Sequence, residues 1–75
     1  MNFTIEQTDL LYEATEIFHA WYAKYYDEPP AFSELLQINH IKLMDKFEGE
    51  EYTDEEITKA ILELKETYFK LFSDY

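Results

Sequence analysis

Glu16 and His19 have the spacing of a helical metal-binding pair. They are the first and last residues of a Glu-x-x-His tetrapeptide. In di-iron carboxylate bundles, a pair of this kind on each of two helices supplies metal ligands. The chain has no second copy, because the closest equivalent begins with Gln37, a neutral amide, and ends with His40. His40 is expected to be a half-buried histidine beside an apolar stripe. We therefore predict no metal site and no cofactor.

The other residue types that enzymes use are scarce. The chain has no cysteine that could act as a nucleophile. Its two serines, Ser33 and Ser73, have no histidine nearby to activate them in a loop that would expose the hydroxyl. It has no arginine and no glycine-rich loop to hold a phosphate. Gly49 does not occupy the sixth position of an acidic calcium loop, so no EF-hand is expected. The sequence predicts a protein that is not an enzyme.

Charge is the strongest compositional feature. Seventeen acidic residues stand against six lysines, which gives a formal net charge of -11. A nucleic-acid binder needs a basic footprint, and an anionic membrane would repel this chain for the same reason. We expect no direct contact with nucleic acid or membrane, and we expect any protein partner to be basic. No run of apolar residues is long enough to cross a membrane, so we also expect a soluble, cytoplasmic protein.

Two acidic regions are candidate binding surfaces. On helix 1, four acids follow one line at intervals of three, four and three residues, with only Lys24 to offset them. The segment 48–57 holds six more acids, of which three are suited to starting a helix. Near the first line, Tyr12, His19 and Tyr26 recur every seven residues and are expected to form an aromatic ridge turned away from the core. The predicted partner-binding residues are Glu6, Asp9, Tyr12, Glu13, Glu16, Tyr26, Asp27, Glu48, Glu50, Glu51, Asp54 and Glu55.

Three amphipathic helices are predicted to present these residues, at about 4–26, 31–47 and 54–73, in one domain that spans residues 1–75. Thr4 begins a capping box that starts helix 1, and Thr53 begins another that starts helix 3. Helix 2 should begin between Pro30 and Ser33, a plausible N-cap, and end before Gly49. The fold class is therefore all-α, a small three-helix bundle.

Periodicity predicts which side chains form the core. The expected stripes are Leu10, Leu11, Ala14, Ile17, Phe18, Trp21, Tyr22 and Tyr25 on helix 1; Leu36, Leu43, Met44 and Phe47 on helix 2; and Ile57, Ile61, Leu64, Tyr68, Leu71, Phe72 and Tyr75 on helix 3. Leu35, Ile38 and Ile41 point away from the stripe of helix 2, so that helix is either central or a partner surface. Leu62 and Phe69 lie outside the stripe of helix 3, as the seam of a homodimer or the edge of a wide core.

Two functions remain open at this point. The first is a non-catalytic acidic module that binds a basic protein, as an inhibitor or regulator that presents carboxylates where its partner binds phosphates. Small inhibitors encoded by phages and other mobile elements often have such a composition. The alternative is an assembly or immunity-type interaction protein whose apolar helix face forms a homo- or hetero-oligomer, with the acids only keeping it soluble.

Overall fold

The chain folds into a bundle of three α-helices. The computed structural model describes residues 2–73, in which α1 spans Ile5–Tyr25, α2 spans Phe32–Phe47 and α3 spans Asp54–Ser73. No strand occurs within these residues. The predicted three-helix bundle is confirmed, and each predicted helix end lies within one residue of the observed one. No helix in the described part of the chain has the length and apolarity that a membrane crossing requires.

The first helix starts at the predicted capping box. The hydroxyl oxygen of Thr4 accepts a hydrogen bond from the backbone N–H of Gln7 at 3.1 Å. In return, the side-chain oxygen of Gln7 accepts one from the backbone N–H of Thr4 at 3.0 Å. At the start of α3, the Thr53 hydroxyl accepts the backbone N–H of Glu56 at 3.2 Å. The turn after α2 contains Gly49 at a φ of 74°, a conformation that L side chains rarely adopt. The Thr4 capping box and the turn at Gly49 were correctly predicted, whereas the second capping box forms only in part, because the Glu56 carboxylate accepts from the Thr53 hydroxyl at 3.3 Å and not from the Thr53 backbone N–H.

The start of α2 differs from the expectation. Its N-cap is Ala31, which offers no side-chain hydrogen bond, and Ser33 lies inside the helix. Ser33 as the N-cap was therefore wrong. The helix instead starts on the Ala31 carbonyl, which accepts from the backbone N–H groups of Glu34 and Leu35 at 3.0 and 3.2 Å, while Phe32 packs against Tyr12 and His19 of α1.

Two hydrophobic clusters fill the core. The first contains Leu11, Leu43, Phe47, Ile57, Ala60 and Ile61, and the second contains Ala14, Phe18, Leu35 and Tyr68. Each cluster takes residues from all three helices. Within the second, the rings of Phe18 and Tyr68 stack at a centroid distance of 4.2 Å, nearly parallel.

The buried face of α2 is rotated from the predicted one. Leu35, which was expected to point elsewhere, is fully buried, whereas Met44, predicted to be core, is 50% exposed. The buried face follows Leu35, Asn39, Leu43 and Phe47, at intervals of four residues. Because Asn39 is polar, its position was left out of the apolar stripe, and the centre of the stripe was displaced.

The predicted stripes of α1 and α3 need smaller changes. Most of their members are buried or half-buried. Tyr25 was expected in the core but is 40% exposed at the last turn of α1. Tyr75 lies outside the described residues.

Candidate functional site

The predicted line of acids lies on the outer side of α1. Glu6, Asp9, Glu13 and Glu16 are all exposed, and they project away from the buried residues of the same helix. Consecutive carboxylates at these spacings are about 5–6 Å apart along a helix surface. These four residues are called the acidic face.

One of the four acids is paired, which corrects the expectation that only Lys24 could offset them. Lys65 of α3 reaches Glu13 across the helix pair, with Nζ 2.8 Å from Oε2. Lys24 instead lies over two aromatic rings, 5.4 Å from the centroid of Tyr25 and 5.1 Å from that of Phe72. Within residues 2–73, the remaining three members of the acidic face form no ion pair.

A second group of acids is brought to the same end of the bundle. The side-chain amide of Gln7 donates to the backbone carbonyl of Asp54 at 3.1 Å and to the hydroxyl of Thr58 at 3.3 Å, which ties the first turn of α1 to the first turn of α3. The predicted acids of this region, which are exposed, are Glu48, Glu50, Glu51, Asp54 and Glu55. Glu6, beside Gln7, therefore shares one end of the bundle with the acids of the α2–α3 loop.

The predicted aromatic ridge has two separate parts. Tyr12 stacks on Phe32 of α2 at 5.8 Å between ring centroids, and His19 meets the same ring edge-on at 6.2 Å. Phe32 therefore covers one side of both residues. Tyr12 still exposes 44% of its surface, whereas His19 is half-buried.

Tyr26, the third member of the predicted ridge, belongs to a different cluster at the C-terminal end of α1. Its ring lies 5.9 Å from that of Trp21 and 5.2 Å from that of Tyr22, measured between centroids. Tyr26 is 52% exposed, and the exposed Asp27 follows it directly. Asp27 therefore lies at the opposite end of α1 from Glu6.

Lysines gather on another side of the molecule. An open groove of about 210 Å³ between α2 and α3 is lined by Lys42 and Lys46, and an adjoining one of about 220 Å³ is lined by Lys46 and Lys59. Lys46 lies 3.5 Å from Glu63 across the groove. Three of the six lysines thus line these two grooves together with Glu56 and Glu63, and neither groove is lined by a described residue of α1.

A chain of buried hydrogen bonds that was not predicted from the sequence joins the three helices. Asn39 donates to the Thr15 hydroxyl at 2.9 Å, and that hydroxyl donates to the backbone carbonyl of Leu11 at 2.8 Å. The Tyr68 hydroxyl donates to the side-chain oxygen of Asn39 and accepts from Lys42 at 3.1 Å. Burial raises the pKa of Tyr68, and the neighbouring Lys42 partly opposes this effect. Polar residues at the i±4 positions of an apolar stripe, Thr15 after Leu11 and Asn39 after Leu35, were the available signal.

Apolar side chains remain exposed on all three helices, and Ile5 at the start of α1 is 83% exposed. On α2 they are Ile38, Ile41 and Met44, exposed by 42%, 49% and 50%. On α3, Leu62 and Phe69, the predicted homodimer seam, are 46% and 61% exposed. These side chains are accessible to a partner, and the structure contains one chain.

The candidate metal pair is not part of a larger cluster. Within residues 2–73, no group of three or more histidine and acidic side chains is arranged to hold a metal ion. His19, the histidine of the pair, packs against Phe32.

Comparison with protein-family models, with curated proteins and with solved structures finds no match for this chain. The case for a function therefore depends on the surface itself.

Proposed function

We propose that this protein is a non-catalytic acidic module that binds a basic surface of a partner protein and occupies its nucleic-acid-binding site as an inhibitor or regulator. The observation that carries the proposal is the acidic face. Four exposed carboxylates project from one side of α1, and only Glu13 is offset by a lysine within residues 2–73.

The spacing of these carboxylates suits the proposed substitution for phosphates. Glu6 and Glu16 are ten residues apart, which is about 15 Å along a helix, so four charges fall at intervals of about 5 Å. One strand of duplex DNA carries a charge about every 3.4 Å along the helix axis. The two densities are similar enough for a basic groove to accept either surface.

The distribution of charge also favours a basic partner. The acids of the α2–α3 loop extend the negative potential beyond Glu6, while Lys42, Lys46 and Lys59 lie in the groove on another side. A basic surface can therefore approach the acidic face without meeting these lysines. Opposite charges steer such an encounter and raise its rate.

The proposal extends to the biological setting. The chain has no cysteine, so its fold requires no oxidising compartment, and a nucleic-acid-handling partner in the cytoplasm is the expected target. An inhibitor of the kind that phages and other mobile elements encode would have this size and charge.

The experiment is affinity capture with charge-reversed variants. The first variant is Asp9→Lys with Glu16→Lys, which reverses two acids that form no ion pair within residues 2–73 and leaves Glu13 and Lys65 unchanged. The matched control is Glu34→Lys with Asp45→Lys, the same change of charge at exposed positions on α2. Captured proteins are eluted with increasing salt, and separately with duplex DNA or RNA at constant ionic strength.

We expect the unaltered chain and the α2 control to retain a basic protein that the α1 variant does not retain. Moderate salt and added nucleic acid should both release it. Equal capture by all three proteins, or a partner that nucleic acid does not displace, would contradict the proposal. Circular dichroism of each variant verifies that helicity is unchanged.

A second candidate function is an assembly protein, and the exposed apolar residues favour it. Ile38, Ile41 and Met44 on α2, with Leu62 and Phe69 on α3, could bury their surface against a second copy or another protein. Such an interface holds or tightens as salt rises, because burial of apolar surface drives it. Sedimentation at low and high salt separates the two candidates: association that strengthens with salt supports assembly.

A further inference from the structure

The C-terminal end of α1 carries a group of aromatic rings in mutual contact. Trp21 is at its centre, with ring centroids of Tyr22, Tyr25 and Tyr26 at 5.1, 5.7 and 5.9 Å. Tyr22 and Tyr26 also contact each other at 5.2 Å. These four residues are called the aromatic end.

The aromatic end combines accessible ring surface with negative charge. Tyr26 is 52% exposed, although it packs on Trp21 and Tyr22. Asp27 and Glu28 follow it directly, and both are exposed. The carbonyl end of a helix also carries a partial negative charge, and α1 ends at Tyr25. All three features favour a cation at this position.

The molecule itself uses the same type of contact twice. Lys24 lies over the rings of Tyr25 and Phe72, and Lys42 lies 5.4 Å from the ring centroids of both Phe18 and Tyr68. A cation within about 6 Å of a ring centroid is attracted by the negative face of the ring. One of these contacts, Lys24 over Tyr25, is made by the aromatic end itself, and Tyr26 adds a second exposed ring beside it.

We infer that the aromatic end binds an arginine side chain of the basic partner, with the guanidinium against the Tyr26 ring and a carboxylate of Asp27 or Glu28 accepting its N–H groups. This inference deepens the proposed function and rests on it for the basic character of the partner. Arginine fits better than lysine, because its planar guanidinium both stacks on a ring and donates two parallel hydrogen bonds to one carboxylate.

Trp21 provides a reporter for the test. It is the chain's only tryptophan, and its ring contacts that of Tyr26. The unaltered protein is titrated at low salt with a tetra-arginine peptide and with a tetra-lysine peptide, and tryptophan fluorescence is recorded. The residues affected are then mapped from the amide shifts of the ¹⁵N-labelled protein. We expect a saturable signal, tighter for tetra-arginine, with shifts centred on residues 22–28.

Two pairs of variants isolate the proposed contact. Tyr26→Ala should weaken tetra-arginine binding roughly two- to fivefold, whereas Tyr12→Ala, which removes the other exposed tyrosine of the predicted ridge, should not. Asp27→Asn with Glu28→Gln should weaken it more than Glu50→Gln with Glu51→Gln, which removes the same charge from the α2–α3 loop. Equal effects within either pair would overturn the inference.

The mapping separates this inference from the proposed function. Shifts confined to the acidic face or to residues 48–55 would overturn the arginine site alone. The proposed function of the acidic face would still be tested separately, by capture with the charge-reversed variants. Equal affinity for the two peptides would overturn the choice of arginine. The Tyr26→Ala variant is also included in the capture experiment. If it no longer retains the basic protein that the unaltered chain captures, the result would support both the arginine site and the proposed function.

Discussion

The α1–α3 pair and α2 are held in the bundle in different ways. Packing, the two hydrogen bonds from Gln7 and the Glu13–Lys65 ion pair join α1 to α3 along their length. In contrast, α2 packs mainly on α1, touches α3 at few points and leaves an open groove between them. The pair forms the frame of the molecule, and α2 lies against it.

This difference assigns different properties to the two candidate surfaces. The acidic face belongs to the frame, so its carboxylates are held at fixed spacing by a well-packed helix. Such preorganisation lowers the entropic cost of binding. The exposed apolar side chains Ile38, Ile41 and Met44 belong to α2, the less tightly packed helix. The frame is therefore better suited to presenting a pattern of charges.

The largest expected effect comes from opening a cavity where the frame and α2 meet. Ile61 is fully buried in a cluster that all three helices build. We expect Ile61→Ala to lower the free energy of unfolding by roughly 2–5 kcal/mol, because the lost packing leaves a cavity. Chemical denaturation monitored by circular dichroism measures this change.

Its matched control is the next residue in the chain. Leu62 is 46% exposed, and we expect Leu62→Ala to change the free energy of unfolding by about 0.5 kcal/mol or less. Equal destabilisation by the two substitutions would mean that Leu62 is covered in solution, as it would be in a homodimer.

The sequence was sufficient to predict the helices of the frame, and it was less informative about α2. The Thr4 capping box, the Thr53 hydroxyl at the start of α3 and the strong period of α3 are local signals, and they placed the ends of these two helices within one residue. The orientation of α2 depended on Asn39, whose burial is explained only by partners on the other two helices. A pattern that classes each residue as apolar or polar cannot represent a buried amide.

The candidate site followed the same division. The acidic face could be predicted, because one line on one helix needs only the helical period. The pairing of Glu13 with Lys65 and the meeting of Glu6 with the loop acids could not, because they depend on how α1 and α3 align. The division of the tyrosine ridge was missed for a similar reason, since Phe32 from α2 covers Tyr12 and His19.

The buried hydrogen bonds are the specific connection between α2 and the frame, so a smaller substitution tests them. Tyr68→Phe removes the hydroxyl that donates to Asn39 and accepts from Lys42. We expect a loss of about 1–3 kcal/mol, because the buried amide oxygen of Asn39 loses its partner. Hydrogen exchange should become faster in α2 than in α1 or α3, because α2 has fewer other contacts. Uniform acceleration in all three helices would remove the distinction drawn between them.

The same hydroxyl gives a dependence on pH. Burial raises the pKa of Tyr68 above its ordinary value of 10.0, so above that pH the unfolded chain loses this proton more readily than the folded one. Its contribution to stability is fully present below about pH 10 and is lost as the pH rises through the folded pKa. The free energy of unfolding should therefore fall more steeply above pH 10 in the unaltered protein than in Tyr68→Phe. Parallel curves for the two proteins would show that this hydroxyl is not shielded from solvent.

The smallest expected effect concerns the ion pair that joins the acidic face to α3. Because the side chains of Lys65 and Glu13 are 37% and 52% exposed, solvent screens their attraction, and Glu13→Gln should cost about 0–1 kcal/mol. A double-mutant cycle with Lys65→Gln measures the coupling, and Glu16→Gln, which removes an acid of the same face without an ion pair in residues 2–73, is the control. We expect Glu16→Gln to be neutral or slightly stabilising, because it relieves repulsion between like charges.

If Glu13→Gln were equally neutral, Lys65 would be available to a partner and the acidic face would present four uncompensated carboxylates. A coupling energy well above this range would instead make the pair a structural part of the frame, and it would leave Glu6, Asp9 and Glu16 as the acids of that face that are available for binding.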